Sequence, residues 1–487
     1  MKVTIKYDDI PRIAKRFSFS EKMRVLERYS SNLININKAS LDLYNDRPLP
    51  WELETLLLFF VKNYEWKQDS FDVKKIKQFI DMINCIKMYE SPLLDKKDID
   101  VTNLLVAYSS NQFEQQEIWF YKFYRYNYFY SFCNEKINIR EKFYSKFSFS
   151  YDEIIDFSTN IIFWYGFKAN YPVEVLQFLK KKYNKIFVLF SKTRDEFIEL
   201  MDSFAKSIDD FMYCIKPCNT YPFIEYNSFY YLPLPYCIIQ ATTKSLMYRF
   251  TENDNALRQD IGFVLEKYLF EIMSNSKVYS EVLSEKTYGK ENKKTSDVMC
   301  RTGDNYLFIE SKAMVPFANT RCLEFNSIEK AKDKICSAMH QVYNQIYNEF
   351  SKGKYYFFSK DNETIEKNKC FGLVVLLEES YIRRSDIYDY YAKKYRLDKN
   401  GEEYKWIMYH IKVCNLYEVE KHCFCEISII DALNKQIEDN QPTYYAFTNT
   451  DFSYITKNEK VLEFKNMQRM ILKNFVDELV ENGIITK

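Results

Sequence analysis

Residues 295–312 read Thr-Ser-Asp-Val-Met-Cys-Arg-Thr-Gly-Asp-Asn-Tyr-Leu-Phe-Ile-Glu-Ser-Lys, two apolar runs separated by a short polar break. The runs cover residues 297–301 and 306–311. The break at residues 302–305 holds a glycine and short polar side chains, which favour a tight reversal between antiparallel strands. The stretch therefore predicts a β-hairpin.

The position of the turn determines which side chains face each other. A turn centred on Gly303-Asp304 places Asp297 directly opposite Glu310. Two like charges that face each other, with β-carbons ~5 Å apart, destabilise a sheet unless a cation offsets them. A turn slipped by one residue, to Asp304-Asn305, would instead pair Asp297 with Lys312 and give an ordinary surface salt bridge.

The carboxylate pair suggests a metal site. Because strand side chains alternate, Glu310 and Lys312 share a face with Asp297, whereas Ser311 is expected to point away and leave its backbone carbonyl near the pocket. Mg²⁺ takes oxygen ligands, usually one or two carboxylates with water and substrate phosphate, and a nearby lysine can position the attacking water. We predict Asp297, Glu310 and the Ser311 carbonyl as metal ligands and Lys312 as a catalytic ammonium. The chemistry that this set suggests is phosphodiester hydrolysis.

The pattern resembles the PD-(D/E)XK nuclease superfamily, whose core motif is an aspartate on one strand and (Asp/Glu)-x-Lys on the next. Here these positions are Asp297 and Glu310-Ser311-Lys312, and Ser296 stands where the family name has proline. The resemblance implies an α/β fold with a mixed, restriction-endonuclease-like β-sheet flanked by helices. It also implies a nuclease that depends on Mg²⁺ or Mn²⁺ and cuts DNA rather than RNA. Restriction, repair and phage-defence enzymes are among such relatives.

A helix is expected before the hairpin, because residues 256–274 carry apolar side chains at helical spacing. Glu266 lies between its two apolar faces, where a charge needs a partner or an opening to solvent. The resemblance implies a glutamate on this helix that supports the metal centre. Glu266 matches that role as a further catalytic residue, and Glu271 is the second choice. A solvated helix acid is the equally weighted alternative for Glu266.

Two more residues are expected to contact substrate. A long helix over residues 327–350 places Gln341 and Gln345 on one flank, and the resemblance implies a glutamine or basic residue there that binds substrate near the metal. We assign that role to Gln341, although the RecB-like pattern of glutamine and tyrosine four apart is not met. Lys294 belongs to a lysine-rich loop at residues 284–294 that would lie at the rim of the cleft; a mobile surface loop is the alternative.

Composition limits the function classes. The chain has 487 residues and a net charge of +1, so no global positive field indicates nucleic acid, and binding would rely on local patches. With 47% hydrophobic residues, disorder is not expected. No apolar run approaches ~18 residues and the N-terminus lacks a signal-peptide core, so we expect a cytoplasmic protein with no membrane partner.

Glycine usage suggests two domains. Only Gly166 precedes residue 261, and the other seven glycines follow it. Scarce glycine suits helices joined by polar loops. We expect residues 1–235 to form a mainly α-helical domain that recognises substrate or a partner, and residues 250–487 to form the nuclease-like domain.

Further elements are expected on either side of the hairpin. Residues 119–130 interleave aromatic rings with Lys122 and Arg125, which suits base stacking, but packing between helices is favoured because aromatics make up 18% of the chain. Residues 186–190 suggest a short strand, residues 371–377 a central strand, residues 444–448 a last strand and residues 459–482 a terminal helix.

Together these features predict an endonuclease that holds Mg²⁺ or Mn²⁺ and hydrolyses phosphodiester bonds, in DNA before RNA. The alternative is a non-catalytic nucleic-acid-binding or scaffold protein that keeps a degenerate nuclease fold. One site per chain would need a homodimer, or two visits, to cut both strands.

Overall fold

The computed structural model of the chain describes most of its length. The described residues are 5–30, 48–71, 75–90, 101–112, 117–167, 173–315, 321, 326–353, 357–358, 365–439, 444–447 and 456–485. None of the helices within these ranges is both long enough and apolar enough to cross a bilayer.

The chain folds as two compact units. The first contains residues 1–252, 321–323 and 465–487, and the second contains residues 253–320 and 324–464. Residues 236–249, which separate the two predicted domains, fold within the first unit. The last helix, Glu459–Glu481, therefore begins in the second unit and ends in the first.

The first unit is mainly helical. A small sheet joins β1 (Ser191–Thr193) in parallel to β2 (Phe223–Tyr226), which pairs in antiparallel with β3 (Phe229–Tyr231). Helices α1–α13 are, in order, Ile10–Ala14, Phe19–Ser30, Pro50–Lys62, Ile76–Lys87, Val101–Gln112, Trp119–Ser131, Ile139–Phe147, Tyr151–Phe167, Val173–Lys182, Asn184–Leu189, Arg194–Phe204, Cys237–Thr242 and Lys244–Phe250.

One strand prediction in this unit was wrong. Residues 186–190 lie largely in helix α10 and not in a strand. The reason is the spacing of the buried side chains, which are Tyr183, Ile186, Phe187 and Phe190, while Val188 is exposed. Buried positions at i, i+3, i+4 and i+7 are the pattern of one helix face.

The second unit is an α/β fold built on a five-stranded mixed sheet. The strands are β4 (Glu281–Ser284), β7 (Val298–Thr302), β8 (Asn305–Lys312), β9 (Cys370–Leu376) and β10 (Ile411–Asn415), and β5 (Thr287–Tyr288) and β6 (Lys293–Lys294) form a separate two-stranded ribbon. The helices are α14 (Asn255–Ser274), α15 (Asn326–Tyr343), α16 (Arg384–Tyr395), α17 (Glu402–His410), α18 (Leu416–Cys425), α19 (Ile429–Glu438) and α20 (Glu459–Glu481).

The sheet has the order β10-β9-β8-β7-β4. Strands β8, β9 and β10 are parallel, and β4, β7 and β8 form an antiparallel meander. Helix α14 packs against β4, β7 and β8, and α15 packs against β8, β9 and β10. The sheet thus has helices packed against both its antiparallel and its parallel parts.

Strand β9 is the best-buried strand of the sheet. Every one of its residues is buried, as expected for a central strand. Gly372 lets α15 approach closely, because a β-carbon there would overlap the Val342 side chain and lie 2.6 Å from Ile411 Cδ1. The predicted central strand is therefore confirmed.

The last strand of the sheet is not the predicted one. Residues 444–447 are irregular, Thr448 lies outside the described residues, and the sheet ends with β10. Strand β10 begins at Ile411, directly after His410, the last residue of α17. Because no turn residues separate the two elements, the sequence does not indicate where the helix ends and the strand begins. The terminal helix was predicted correctly, within one residue of its observed end.

Candidate active site

The hairpin has the predicted register. Thr302 pairs with Asn305 around a two-residue Gly303-Asp304 turn, and Val298 pairs with Ile309. Gly303 has a φ of +58°, a left-handed conformation that glycine adopts without steric cost. Asp297 directly precedes β7, so extending the ladder by one pair places it opposite Glu310. The slipped register with Asp297 facing Lys312 is wrong.

The environment of Asp297 differs from the prediction in one respect. Ser311 does not point away, because its backbone N–H and its Oγ–H both donate to Asp297 Oδ2, each at 2.7 Å. Asp297 lies just outside the paired strand, so its side chain can reach along the strand end to the next residue of β8. Oδ1 of Asp297 accepts no hydrogen bond from the described part of the chain. Burial raises the pKa of Asp297, and the Ser311 hydrogen bonds oppose that shift.

Glu310 is the most deeply buried acid of the group, with 3% of its surface exposed. Its Oε1 accepts from Lys312 Nζ at 2.7 Å, and its Oε2 accepts from Gln341 Nε2 at 3.0 Å. Burial and the nearby Asp297 raise the pKa of Glu310 to about 7, although Lys312 lowers it. Three of the predicted site residues are thus linked by direct hydrogen bonds.

Helix α14 brings Glu266 into the same electrostatic environment. Burial raises the pKa of Glu266 to about 7, and the charges of Asp297, Glu285 and Glu310 add to this effect. Among the described residues Glu266 has no hydrogen-bond donor. Glu271, the second choice, forms an ion pair with Lys460 instead. The structure therefore places Glu266, and not Glu271, beside the carboxylate pair.

Lys294 lies at the edge of this group. Its Nζ is 2.9 Å from Glu285 Oε1, and about two thirds of its side chain is exposed. That ion pair is the main reason why the pKa of Lys294 is raised, and Glu266 and Asp297 contribute further. Lys294 is therefore near the acids, but its charge is partly neutralised by Glu285, an acid that sequence reasoning had not singled out.

The group carries an excess of negative charge. Four carboxylates, those of Glu266, Glu285, Asp297 and Glu310, surround two ammonium groups, those of Lys294 and Lys312, which leaves a formal charge of −2 when all are ionised. Oxygen donors with an uncompensated charge of two suit a hard divalent cation. Within the described ranges, no three Asp, Glu, His or Cys side chains are already arranged around one metal position.

Sequence reasoning missed the role of Gln345. Its Oε1 accepts from Ser296 N–H at 2.9 Å and from Ser296 Oγ–H at 2.7 Å, and its Nε2 donates to the Lys294 carbonyl at 3.0 Å. Gln345 and Ser296 are both buried. These bonds fix the segment that enters Asp297. The sequence shows Ser296 where the PD-(D/E)XK motif has proline, but it does not show that Ser296 is bonded to Gln345.

Gln345 is presented by a π-helical turn. After α15 the chain continues through residues Asn344–Glu349 with π-helical hydrogen bonds. Such widened turns inside helices are frequent at functional sites, since they re-aim side chains. Gln341, one turn earlier on the regular helix, contacts Glu310, so the two glutamines hold both strands of the hairpin.

The aromatic segment of the first unit is packed in the interior. In helix α6, Tyr121, Phe123 and Tyr126 are buried, and so are both cations, Lys122 and Arg125. Arg125 lies 3.3 Å from Glu117. This burial favours packing between helices over base stacking.

Comparisons with known proteins find no relative. No protein-family model matches the chain, no curated protein matches it, and no solved structure matches it.

Proposed function

We propose that the chain is a metal-dependent endonuclease whose second unit has a restriction-endonuclease-like core. The observation that carries the proposal is the hairpin, which sets Asp297 opposite Glu310 and joins Glu310 to Lys312 and Gln341. A charged pair of acids inside a sheet is costly without a cation. A surface salt bridge would need no second buried acid.

The order of elements also supports the proposal. The resemblance to PD-(D/E)XK nucleases implies a helix with a supporting glutamate, a strand that begins with aspartate, a strand that ends in Glu-x-Lys, and a helix with a substrate-binding glutamine. The second unit has Glu266 on α14, Asp297 before β7, Glu310 and Lys312 on β8, and Gln341 on α15.

The donor set fits Mg²⁺ or Mn²⁺. Asp297 and Glu310 would hold the cation together with the Ser311 carbonyl, and Glu266 would complete the site from α14. When bound, the cation would neutralise the carboxylates and stabilise negative charge on the phosphate oxygens. The free Oδ1 of Asp297 and the unpartnered carboxyl of Glu266 are the oxygens that the described residues leave available.

Lys312 would position the attacking water, and Gln341 would bind a phosphate oxygen of the substrate. Lys312 Nζ lies 2.7 Å from Glu310 Oε1, and about one third of the Lys312 side chain is exposed, so the ammonium can donate a second hydrogen bond to the attacking water. Gln341 is exposed beyond its bond to Glu310 and can offer its other N–H to a phosphate oxygen. Both side chains are thus held in place by hydrogen bonds to Glu310.

DNA is the preferred substrate, because the resemblance implies mostly DNA-cutting relatives, including restriction and phage-defence enzymes. One site per chain cuts one strand at a time. A homodimer, or two successive visits, would then convert nicked plasmid to linear plasmid.

The test is cleavage of supercoiled plasmid by the purified full-length protein, with Mg²⁺ and with EDTA. We expect Mg²⁺-dependent nicking that Asp297→Ala and Lys312→Ala abolish. Two variants on helix α14 form a matched pair: Glu266→Ala should lower the rate at least tenfold, because it removes a site carboxylate. Glu271→Ala should leave the rate within twofold, because the Glu271 carboxylate is paired with Lys460 and not with a residue of the site.

Nicking that persists in EDTA, or full activity in both the Asp297→Ala and Lys312→Ala variants, would overturn the assignment. Parallel reactions with single-stranded RNA separate an RNA nuclease from a DNA nuclease, since the preferred substrate is the one cut at the lower protein concentration.

A second candidate function is a non-catalytic nucleic-acid-binding or scaffold protein. The observation that favours it is the Lys312–Glu310 ion pair, which gives each residue a partner of opposite charge without a metal. This candidate predicts DNA binding with no cleavage under any divalent cation. It also predicts that Mg²⁺ does not raise the melting temperature of the protein.

A further inference from the structure

The ribbon formed by β5 and β6, residues 286–294, is a small arm beside the carboxylate group. Thr287 pairs with Lys294 and Tyr288 pairs with Lys293. The tip turns through Gly289 and Asn292, both with positive φ. At the base, Lys286 and Thr295 are joined by two hydrogen bonds of 2.9 and 2.8 Å. The base of the arm is therefore only two residues from Asp297.

The arm is anchored to the π-helical turn that follows α15. Tyr288 is buried and its hydroxyl donates to Glu349, while its ring meets that of Phe350 edge-on at 5.5 Å. Lys293 Nζ lies 3.1 Å from Glu349, and Gln345 donates to the Lys294 carbonyl. The same turn thus fixes the arm and the segment that enters Asp297, so the two keep a constant spacing.

Of the four lysines of the arm, two are paired with acids of neighbouring segments and two are not. Lys293 and Lys294 are paired with Glu349 and Glu285. Lys286 and Lys290 are exposed, and within the described residues neither has an acidic partner. Two lysines without an acidic partner among the described residues therefore lie on an arm whose base is two residues from Asp297.

We infer that the arm docks the sugar-phosphate backbone of the nucleic acid that the proposed site cuts, with Lys286 and Lys290 as its phosphate contacts. This inference rests on the proposed function for the position of the cut. It also assigns the phosphate contacts to Lys286 and Lys290 in place of Lys294, whose charge is partly neutralised by Glu285. Lysine binds phosphate as a point charge, so the arm selects the backbone and not the base sequence.

The length of the arm limits how far from the cut site it can contact phosphates. From Asp297 to Lys290 is seven residues, which spans at most ~23 Å of extended chain. A nucleic-acid strand advances ~3.4 Å per nucleotide, so the arm reaches phosphates within about seven nucleotides of the cut. A recessed duplex end closer than this to the cut site should be a poor substrate.

The test is the salt dependence of binding, measured by fluorescence anisotropy with the full-length protein, a labelled 30-base-pair duplex and EDTA to prevent cleavage. Each phosphate neutralised contributes about 0.9 to the slope of log K against log salt concentration. The variant with Lys286→Ala and Lys290→Ala should lower the magnitude of that slope by about 2. Lys286→Arg with Lys290→Arg should keep it, and Lys405→Ala, an exposed lysine on α17, should leave it unchanged.

An unchanged slope in the double alanine variant, with an unchanged melting temperature, would overturn the inference. The same holds if the wild-type protein does not bind the duplex. If the slope falls as expected but plasmid is never cut, the arm stands as a nucleic-acid contact and the nuclease proposal fails. If plasmid is cut and the slope is unchanged, the nuclease proposal stands alone.

Discussion

Replacement of Glu310 by glutamine should inactivate the protein and stabilise it at the same time. Glutamine keeps the shape of the side chain and removes the charge. Its Oε1 can still accept from Lys312, and its N–H₂ can donate to Gln341 once that amide is flipped. The hydrogen bonds are retained, so the change isolates the electrostatic cost of the buried carboxylate.

The magnitude follows from the pKa of Glu310, which burial and Asp297 raise from 4.5 to about 7. That difference corresponds to about 3 kcal/mol. Because the folded state binds the proton more tightly than the unfolded state, the free energy of unfolding falls as pH rises from 4.5 to 7. The full cost is present at pH 8, and Glu310→Gln should recover up to ~3 kcal/mol there and almost nothing below pH 4.5.

The assay is urea unfolding at pH 8 and at pH 4.5, without divalent cation and then with Mg²⁺. Glu379→Gln is the matched control. Burial by itself would raise the pKa of Glu379, but the bidentate ion pair with Arg384, at 3.0 and 3.1 Å, lowers it overall. Glu379→Gln should therefore destabilise the protein at pH 8, by about 3 kcal/mol, because it removes the carboxylate that accepts hydrogen bonds from the buried Arg384 guanidinium.

The two models of the site give opposite signs. If Glu310 were one half of a structural salt bridge with Lys312, its loss would destabilise the protein at pH 8, as in Glu379→Gln. A loss of stability in Glu310→Gln would refute the reasoning. Mg²⁺ should stabilise the wild-type protein and leave Glu310→Gln unaffected; equal stabilisation of both would also count against a cation at this site.

Three further outcomes are expected. Gln345→Met leaves Ser296 and the Lys294 carbonyl without their hydrogen-bond partners and should cost about 2 kcal/mol of stability. At temperatures where the variant is folded, it should still nick plasmid more slowly than the wild-type protein. A wild-type rate would show that these hydrogen bonds only support the fold. Gly372→Ala places a β-carbon against Val342 and should cost ~1–3 kcal/mol, whereas Gly262→Ala, which meets nothing within 4 Å, should be neutral or stabilising in thermal unfolding. The rate of nicking should increase from pH 5 to pH 8, because the carboxyl groups of Glu266 and Glu310, with pKa values of about 7, must ionise to bind the cation. A higher Mg²⁺ concentration should move the midpoint of this pH profile to lower pH. A midpoint that does not depend on Mg²⁺ would contradict the prediction.

The hairpin could be predicted because its determinants are local. Gly303 and the alternation of the two strands specify the turn and the register, and one shifted residue would reverse every side chain. Helical periodicity predicted the two helices and placed Gln341 on one flank together with Gln345. The roles of Glu266 and Gln341 came from the resemblance to PD-(D/E)XK nucleases. Periodicity is enough for these elements.

Other features depend on tertiary contacts that periodicity does not encode. The bonds from Ser311 to Asp297 arise because Asp297 lies one residue outside the ladder. The bonds from Gln345 to Ser296 depend on a π-helical turn, for which no sequence pattern was available. The helix that covers most of residues 186–190 is a different case: Ile186, Phe187 and Phe190 share a buried face with Tyr183, and the five-residue segment alone is too short to show that helical spacing.

The two-residue turn at Gly303 has a consequence for the order of folding. Asp297 and Glu310 are close in sequence, and hairpins of this kind form in ~1–10 μs, well before contacts between distant elements. The carboxylates therefore meet while helices α14 and α15 are still apart, and their repulsion opposes hairpin formation at neutral pH. We expect the chain to refold faster with Mg²⁺ present than in neutral buffer with EDTA.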